Sequence, residues 1–89
     1  MKIQYTTQFK KDYRRMQRQG RNSDKLEEVI RLLLTEKPLP QHYRDHQLSG
    51  KWKQHRDCHI ESDWLLIYRI SRDTLYLERT GTHSELFKK

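Results

Sequence analysis

The sequence predicts an α+β fold, an N-terminal helical hairpin packed on one face of a small antiparallel β-sheet. Two features predict it: apolar residues recur at helical spacing through the first 36 positions, and three segments of strand character succeed one another after residue 52. The stretch between them, PLPQHYRDHQLSGK, is polar, punctuated and without either period. At 89 residues the chain is expected to form one domain, residues 1–89, with a single modest core.

The opening KIQY alternates Ile3 and Tyr5 with polar neighbours and suits a short strand. From Thr7 to Gln19, Phe9, Tyr13 and Met16 recur at helical spacing, and Gly20 supplies a stop. Lys10, Lys11, Arg14, Arg15 and Arg18 fall together on this helix, away from the apolar stripe. Asn22-Ser23-Asp24 offers N-caps, and Asp24 with Glu27 fits a capping box. Leu26, Val29, Ile30 and Leu33 then form the stripe of a second helix, ending by Glu36 because Pro38 and Pro40 disfavour continuation. Strands are predicted at about 52–59, 63–70 and 74–81. The second of them, DWLLIYRI, is apolar on both sides like a central strand, and SRDT makes the turn into TLYLERT.

Strand alternation sorts the segment WKQHRDCHI into two faces. Trp52, Cys58 and Ile60 share the parity expected to meet the helices, and Lys53, His55, Asp57 and His59 the opposite one. A one-residue register error would exchange these roles.

Composition narrows the setting. Residues are 33% hydrophobic and 35% charged, so the core must come from a few dense segments. The start, MKIQYTTQFKKDYRR, lacks the apolar centre of a secretory leader, and no run approaches the ~20 apolar residues that span a bilayer. Cys58 is the lone cysteine and cannot form an internal disulfide, which fits a reducing cytoplasm. The net charge of +7 and a pI near 9.8 favour polyanionic partners, nucleic acid or an acidic protein before a membrane surface. Most of the excess lies in residues 1–40, whereas all five histidines follow residue 41.

Metal binding has little support. His42 and His46, like His55 and His59, are four apart, which on a strand means roughly 13 Å, too far for one ion. There is no second cysteine and no HExxH motif, so no metal or other cofactor is expected. Cys58 points toward the core by parity and reads as inert. Metal-free acid–base chemistry fits better, if His46, Asp57, His59, Asp63 and His83 border one groove. Internal RNA cleavage needs removal of the 2′-OH proton, charge stabilisation at phosphorus and protonation of the departing 5′-oxygen. Histidine serves both proton transfers near neutrality. The plainer reading makes these residues ordinary surface polar groups and the basic helix a solvated face rather than a phosphate contact. Trp52, Trp64, Tyr68 and Tyr76 offer stacking surfaces, although core packing suits Trp64 and Tyr68 better. Phe87, isolated in HSELFKK, fits either a core anchor or a stacking surface.

The ordered motifs RDH, L-x-G-x-W, R-D-x-H, D-W-x-L-I-Y and R-T-G-T-H-x-x-L-F, spread over residues 39–87, resemble the YafQ branch of the RelE/ParE superfamily of type II toxins. The resemblance implies an mRNA interferase, an endoribonuclease acting on messenger RNA in the ribosomal A site and held inactive by a cognate antitoxin. That antitoxin would be acidic with a DNA-binding N-terminus, and operator DNA would be bound only by the toxin–antitoxin pair. It places the family's active-site residues on His46, Asp57, His59, Asp63, His83 and Phe87. In the implied mechanism His83 is the general acid, and Asp63, His46 or His59 takes the 2′-OH proton. Arg79, Arg56 and Lys53 are expected to bind the scissile phosphate. Lys10, Lys11, Arg14, Arg15 and Arg18 would contact ribosomal RNA. Two alternatives remain: a ParE-like gyrase inhibitor, since a shared scaffold does not assign chemistry, and a non-catalytic RNA- or antitoxin-binding corepressor.

Overall fold

Thr6 starts the first helix of the computed structural model, which describes residues 1–87. Its hydroxyl accepts the Phe9 amide and so caps α1 (Thr7–Arg18), while Gly20 at φ 76 takes the left-handed turn that ends it. The second helix, α2 (Ser23–Leu34), is capped by Asn22, whose side chain accepts the Asp24 amide. The cap therefore lies two residues before the expected Asp24–Glu27 box, and Asp24 sits inside the first turn, where its charge suits the helix N-terminus. Among the described residues no helix is long and apolar enough to cross a membrane.

Strands β1 (Lys2–Tyr5), β2 (His46–Gln47), β3 (Arg56–Glu61), β4 (Trp64–Ser71) and β5 (Thr74–Gly81) form one sheet in the order β1-β5-β4-β3-β2. The sheet is mixed rather than purely antiparallel, because β1 runs parallel to β5. No tight turn joins those two strands, so nothing forces the antiparallel sense that the β3–β4 and β4–β5 hairpins must adopt. The predicted strand at 52–59 also begins late. Gly50, at φ 66, opens a 3₁₀ turn over Gly50–Trp52, and pairing starts only at Arg56. A five-residue helix, α3 (His83–Phe87), follows β5 and was not anticipated.

Alternation along the strands divides the apolar residues between two faces. Phe9, Met16, Leu26, Val29 and Leu33 of the helices bury Cys58, Ile60, Leu66, Tyr68, Leu75 and Leu77 of the sheet. Full burial is worth roughly 1.5–3 kcal/mol for each large side chain, so this layer dominates stability. Trp64 belongs to it, and its indole N–H is satisfied by the Thr80 hydroxyl at 2.9 Å. Cys58 is fully buried here, and desolvation pushes its thiol well above the ordinary range, away from nucleophilic character. The opposite face carries a smaller cluster of Leu65, Ile67 and Leu86, fringed by Leu48, Trp52 and Phe87.

Candidate active site

The face away from the helices gathers the ionisable residues. Register places His46 beside Asp57 and Asp57 beside Ile67, while the next row holds His59, Leu65 and Gly81. Chain direction then changes at Gly81. A Cβ there would lie 2.8 Å from Arg15 Nη2 and 2.9 Å from Glu85 Oε1, so a side chain would displace these two groups, and glycine leaves them in place. Thr82 and Glu85 cap α3 reciprocally: the Glu85 amide donates to Thr82 Oγ1 at 3.1 Å, and the Thr82 amide to Glu85 Oε1 at 2.9 Å. Arg15 of α1 and Gln19, which follows the helix, hold Glu85 Oε2 at 3.2 and 3.1 Å. Although burial opposes it, these bonds hold the Glu85 carboxyl below the usual range. His83 and Phe87 are thereby fixed at the two ends of α3.

Three imidazoles stand in a row. The His46 and His59 ring centroids are 6.5 Å apart, and those of His59 and His83 5.4 Å. Asp63, from the turn between β3 and β4, accepts both the His83 amide at 3.0 Å and its Nδ1–H at 2.7 Å. Those bonds, the backbone one foremost, hold the Asp63 carboxyl below its ordinary value. His46 Nδ1 lies 2.9 Å from the carbonyl of Arg44, a residue in the left-handed region. A carbonyl accepts only, so this partner selects the Nδ1–H tautomer and leaves Nε2 of His46 free. His46 Nδ1 is also 3.1 Å from Asp57 Oδ1, but outside hydrogen-bond geometry, and that buried oxygen has no hydrogen-bond partner. Burial raises the Asp57 carboxyl, with His46, His59 and His83 opposing the shift.

These groups border a cleft of about 340 Å³ lined by His46, Leu48, Ser49, Trp52, Asp57, His59, His83 and Phe87. Among the described residues no group of three or more His, Cys, Asp or Glu side chains is placed to hold a metal ion. Leu48 and Ser49 were missed as lining residues, and Trp52, one of the stacking candidates, lines the cleft although parity sent it to the other face. Trp52 was assigned to the helix face by extending strand parity through a 3₁₀ turn, which abolishes it; the glycine in LSGKW was the available signal.

The expected phosphate-binding cations lie elsewhere. Arg79 forms a fork with fully buried Asp12 of α1, Nε to Oδ2 at 2.8 Å and Nη2 to Oδ1 at 3.1 Å. Its strand parity is broken by an irregularity opposite Ile67 and Tyr68. Arg56 is held by Asp45, which also accepts the Tyr68 hydroxyl, and lines a different groove with Leu33 and Leu39. Lys53 is exposed after the 3₁₀ turn and does not line the cleft. Arg15 leaves the expected basic face as well: it contacts Asp12, Glu85 and the Thr80 carbonyl. Lys10, Lys11, Arg14 and Arg18 remain exposed.

Fold and site together point to a bacterial toxin, and a family model described as a bacterial toxin of type II toxin–antitoxin systems, YafQ, matches residues 1–88. The chain belongs to this YafQ toxin family. It is 44% identical over 86 residues to the mRNA interferase toxin YafQ of Escherichia coli K12, covering 96% of this chain and 94% of the relative. Among solved structures it resembles YafQ in the E. coli DinJ–YafQ complex, with 44% identity, TM-score 0.90 and 96% of each chain covered. It also resembles a metal-bound toxin from Helicobacter pylori, with 40% identity, TM-score 0.91 and coverage of 98% and 99%.

Proposed function

We propose that this protein is an mRNA interferase, an endoribonuclease toxin that cuts messenger RNA in the ribosomal A site and is restrained by a cognate antitoxin. The observation that carries the reading is the row His46–His59–His83 above Asp57, in a family whose E. coli relative is named an mRNA interferase. Cleavage starts with attack of the 2′-oxygen on the adjacent phosphorus. Nε2 of His46 or His59 takes the 2′-OH proton, and His83 gives a proton to the departing 5′-oxygen, leaving a 2′,3′-cyclic phosphate. Asp63 holds His83 by Nδ1–H, so proton exchange runs through Nε2; that role is orientation, which the carboxylate performs without reaching the substrate. Phe87 and Trp52 supply apolar walls on which a base stacks. With Arg56 and Arg79 engaged by carboxylates, charge gathering on the phosphate is met by protonated imidazole.

The DinJ–YafQ complex of the relative supports an antitoxin partner, and the +7 charge suits an acidic one. The H. pylori relative is metal-bound, but among the described residues no three side chains form a ready set of ligands, and no step in this scheme uses one. A gyrase-binding toxin would have no need of the three imidazoles. The test adds purified protein and the His83→Gln variant to translating ribosomes and maps new RNA 5′ ends. Wild type is expected to create ends within A-site codons, and the variant to create about 10²-fold fewer while keeping its fold. Equal cleavage by both would remove His83 from the mechanism, and no cleavage by wild type would end the nuclease reading.

A further inference from the structure

Resting on that reading, we infer that the sheet edge beside the cleft is a second nucleotide subsite, where a base stacks on the Arg69 guanidinium. Strand β3 begins at Arg56, opposite Tyr68, so Arg69, Ile70 and Ser71 of β4 have no neighbouring strand on that side. The notch left there has a volume of about 420 Å³ and is lined by Gln47, Gln54, Arg69, Ile70 and Ser71. Arg69 Cζ lies 4.0 Å from the ring centroid of Tyr76, its cross-strand partner on β5. Arg69 lines the notch and Tyr76 does not, so the proposed base takes the guanidinium face opposite the ring. Glu78 fixes the group from its edge, with Oε2 at 3.5 Å from Arg69 Nε and 3.4 Å from His55 Nε2.

The chemistry of this notch is that of a base site rather than a phosphate site. Glu78 balances the guanidinium charge, which leaves a planar cation supported on an aromatic ring as the recognition surface. Single-stranded RNA bases stack on such planes and use their edges for hydrogen bonds. Gln54, exposed at the rim, and the Ser71 hydroxyl supply donors and acceptors for that edge. The notch and the cleft share no lining residue but are bordered by adjacent ones. Gln47 directly follows His46, and Trp52, a cleft wall, packs edge-on against His55 at 5.0 Å between ring centroids. Along β4, Arg69 is two residues from Ile67, whose row contains Asp57 and His46, a step of roughly 7 Å. A nucleotide flanking the cut reaches it.

The test is fluorescence anisotropy with a labelled octaribonucleotide, 2′-O-methylated throughout to block cleavage, titrated at several salt concentrations. Arg69→Ala and Arg69→Lys are both expected to weaken binding at least about fivefold, the loss of one stacked base. The slope of log affinity against log salt stays unchanged, since no phosphate contact is lost. Gln54→Ala, at an exposed position that leaves folding intact, is expected to weaken binding about threefold. Wild-type affinity in Arg69→Lys means that charge suffices and overturns the stacking site, as does wild-type affinity in Arg69→Ala or in Gln54→Ala. RNA affinity retained while antitoxin binding falls would assign the free edge to a peptide strand instead. Failure of the wild type to bind the oligonucleotide at any salt concentration would overturn the subsite, while the nuclease reading stands or falls on the ribosome assay.

Discussion

Arg79→Ala separates a phosphate-binding arginine from a structural one. Asp12 is fully buried, and its carboxylate accepts both arms of the Arg79 fork together with the Thr80 amide at 3.2 Å. Breaking one side of a buried pair costs about 3–5 kcal/mol when the remaining charge is abandoned. Asp12 is not abandoned, because Gln8 at 3.1 Å and Arg15 at 3.3 Å stay in place, so the low end, about 3 kcal/mol, applies. In a domain of this size that lowers Tm by roughly 12–24 °C. Replacing both partners, Asp12→Asn with Arg79→Gln, removes the uncompensated charge and is expected to recover more than half of the loss. Thermal unfolding by circular dichroism reads stability, and 5′-end mapping in a translation extract below every melting point reads cleavage. The double variant should cut RNA at close to the wild-type rate. A folded double variant without activity, or Arg79→Ala with wild-type Tm and no cleavage, would return Arg79 to the reacting phosphate and refute the brace.

Other perturbations test the remaining elements. Glu85→Ala removes the cap of α3 and its ties to α1, about 1–2 kcal/mol, so exchange of the Leu86 amide, which donates to the Thr82 carbonyl at 3.0 Å, should accelerate roughly tenfold while β4 amides stay protected. Because the folded Glu85 and Asp63 carboxyls titrate below their unfolded values, their contribution is present above the ordinary carboxylate range and is lost as pH falls through the folded values; α3 should therefore loosen first in an acid titration followed by exchange. Asp57→Asn should raise Tm by a few degrees, relieving a buried carboxyl whose ionised form burial disfavours, yet reduce cleavage; a lower Tm would show that the carboxylate is satisfied. Protein dialysed against EDTA and freed of chelator should cleave ribosome-bound mRNA at the undialysed rate, and restoration only by added divalent metal would contradict the acid–base scheme. Charge reversal at Arg14 and Arg18 should weaken ribosome association more at low salt than at high salt, measured by co-sedimentation.

Much of the architecture was legible because it follows from periodicity. The stripes Phe9–Met16 and Leu26–Leu33 bury as helical spacing requires, and WLLIY is the buried part of β4. Alternation also placed Asp57 and His59 opposite Cys58 and Ile60 from six residues of strand. It failed at Trp52, since a 3₁₀ turn has no two-residue period; it found β1 but not the parallel sense of its pairing with β5, which joins residues more than 70 apart. Helix α3 could have been read from THSE, a Thr followed three residues later by Glu. The arginines were the real obstacle. Nothing local to ERTGT announces that Asp12, 67 residues earlier, will claim the guanidinium of Arg79.

That allocation of arginines shapes the chemistry left to the cleft. Arg15 and Arg79 join α1 to β5 through Asp12, and Arg15 continues to Glu85 of α3. Arg56 is likewise tied, by Asp45, to the loop that leads into His46. Arg15 thus anchors the helix carrying His83 and Arg56 the loop that leads into His46, while none of the three lines the cleft itself. Such a division suits transesterification. A fixed arginine would hold substrate and transition state alike, whereas an imidazole changes charge as the proton moves and meets phosphate charge when it develops. The ion pairs supply rigidity at the perimeter and the imidazoles occupy the centre, so a change to Arg15 or Arg56 should act on catalysis through the placement of His83 or His46.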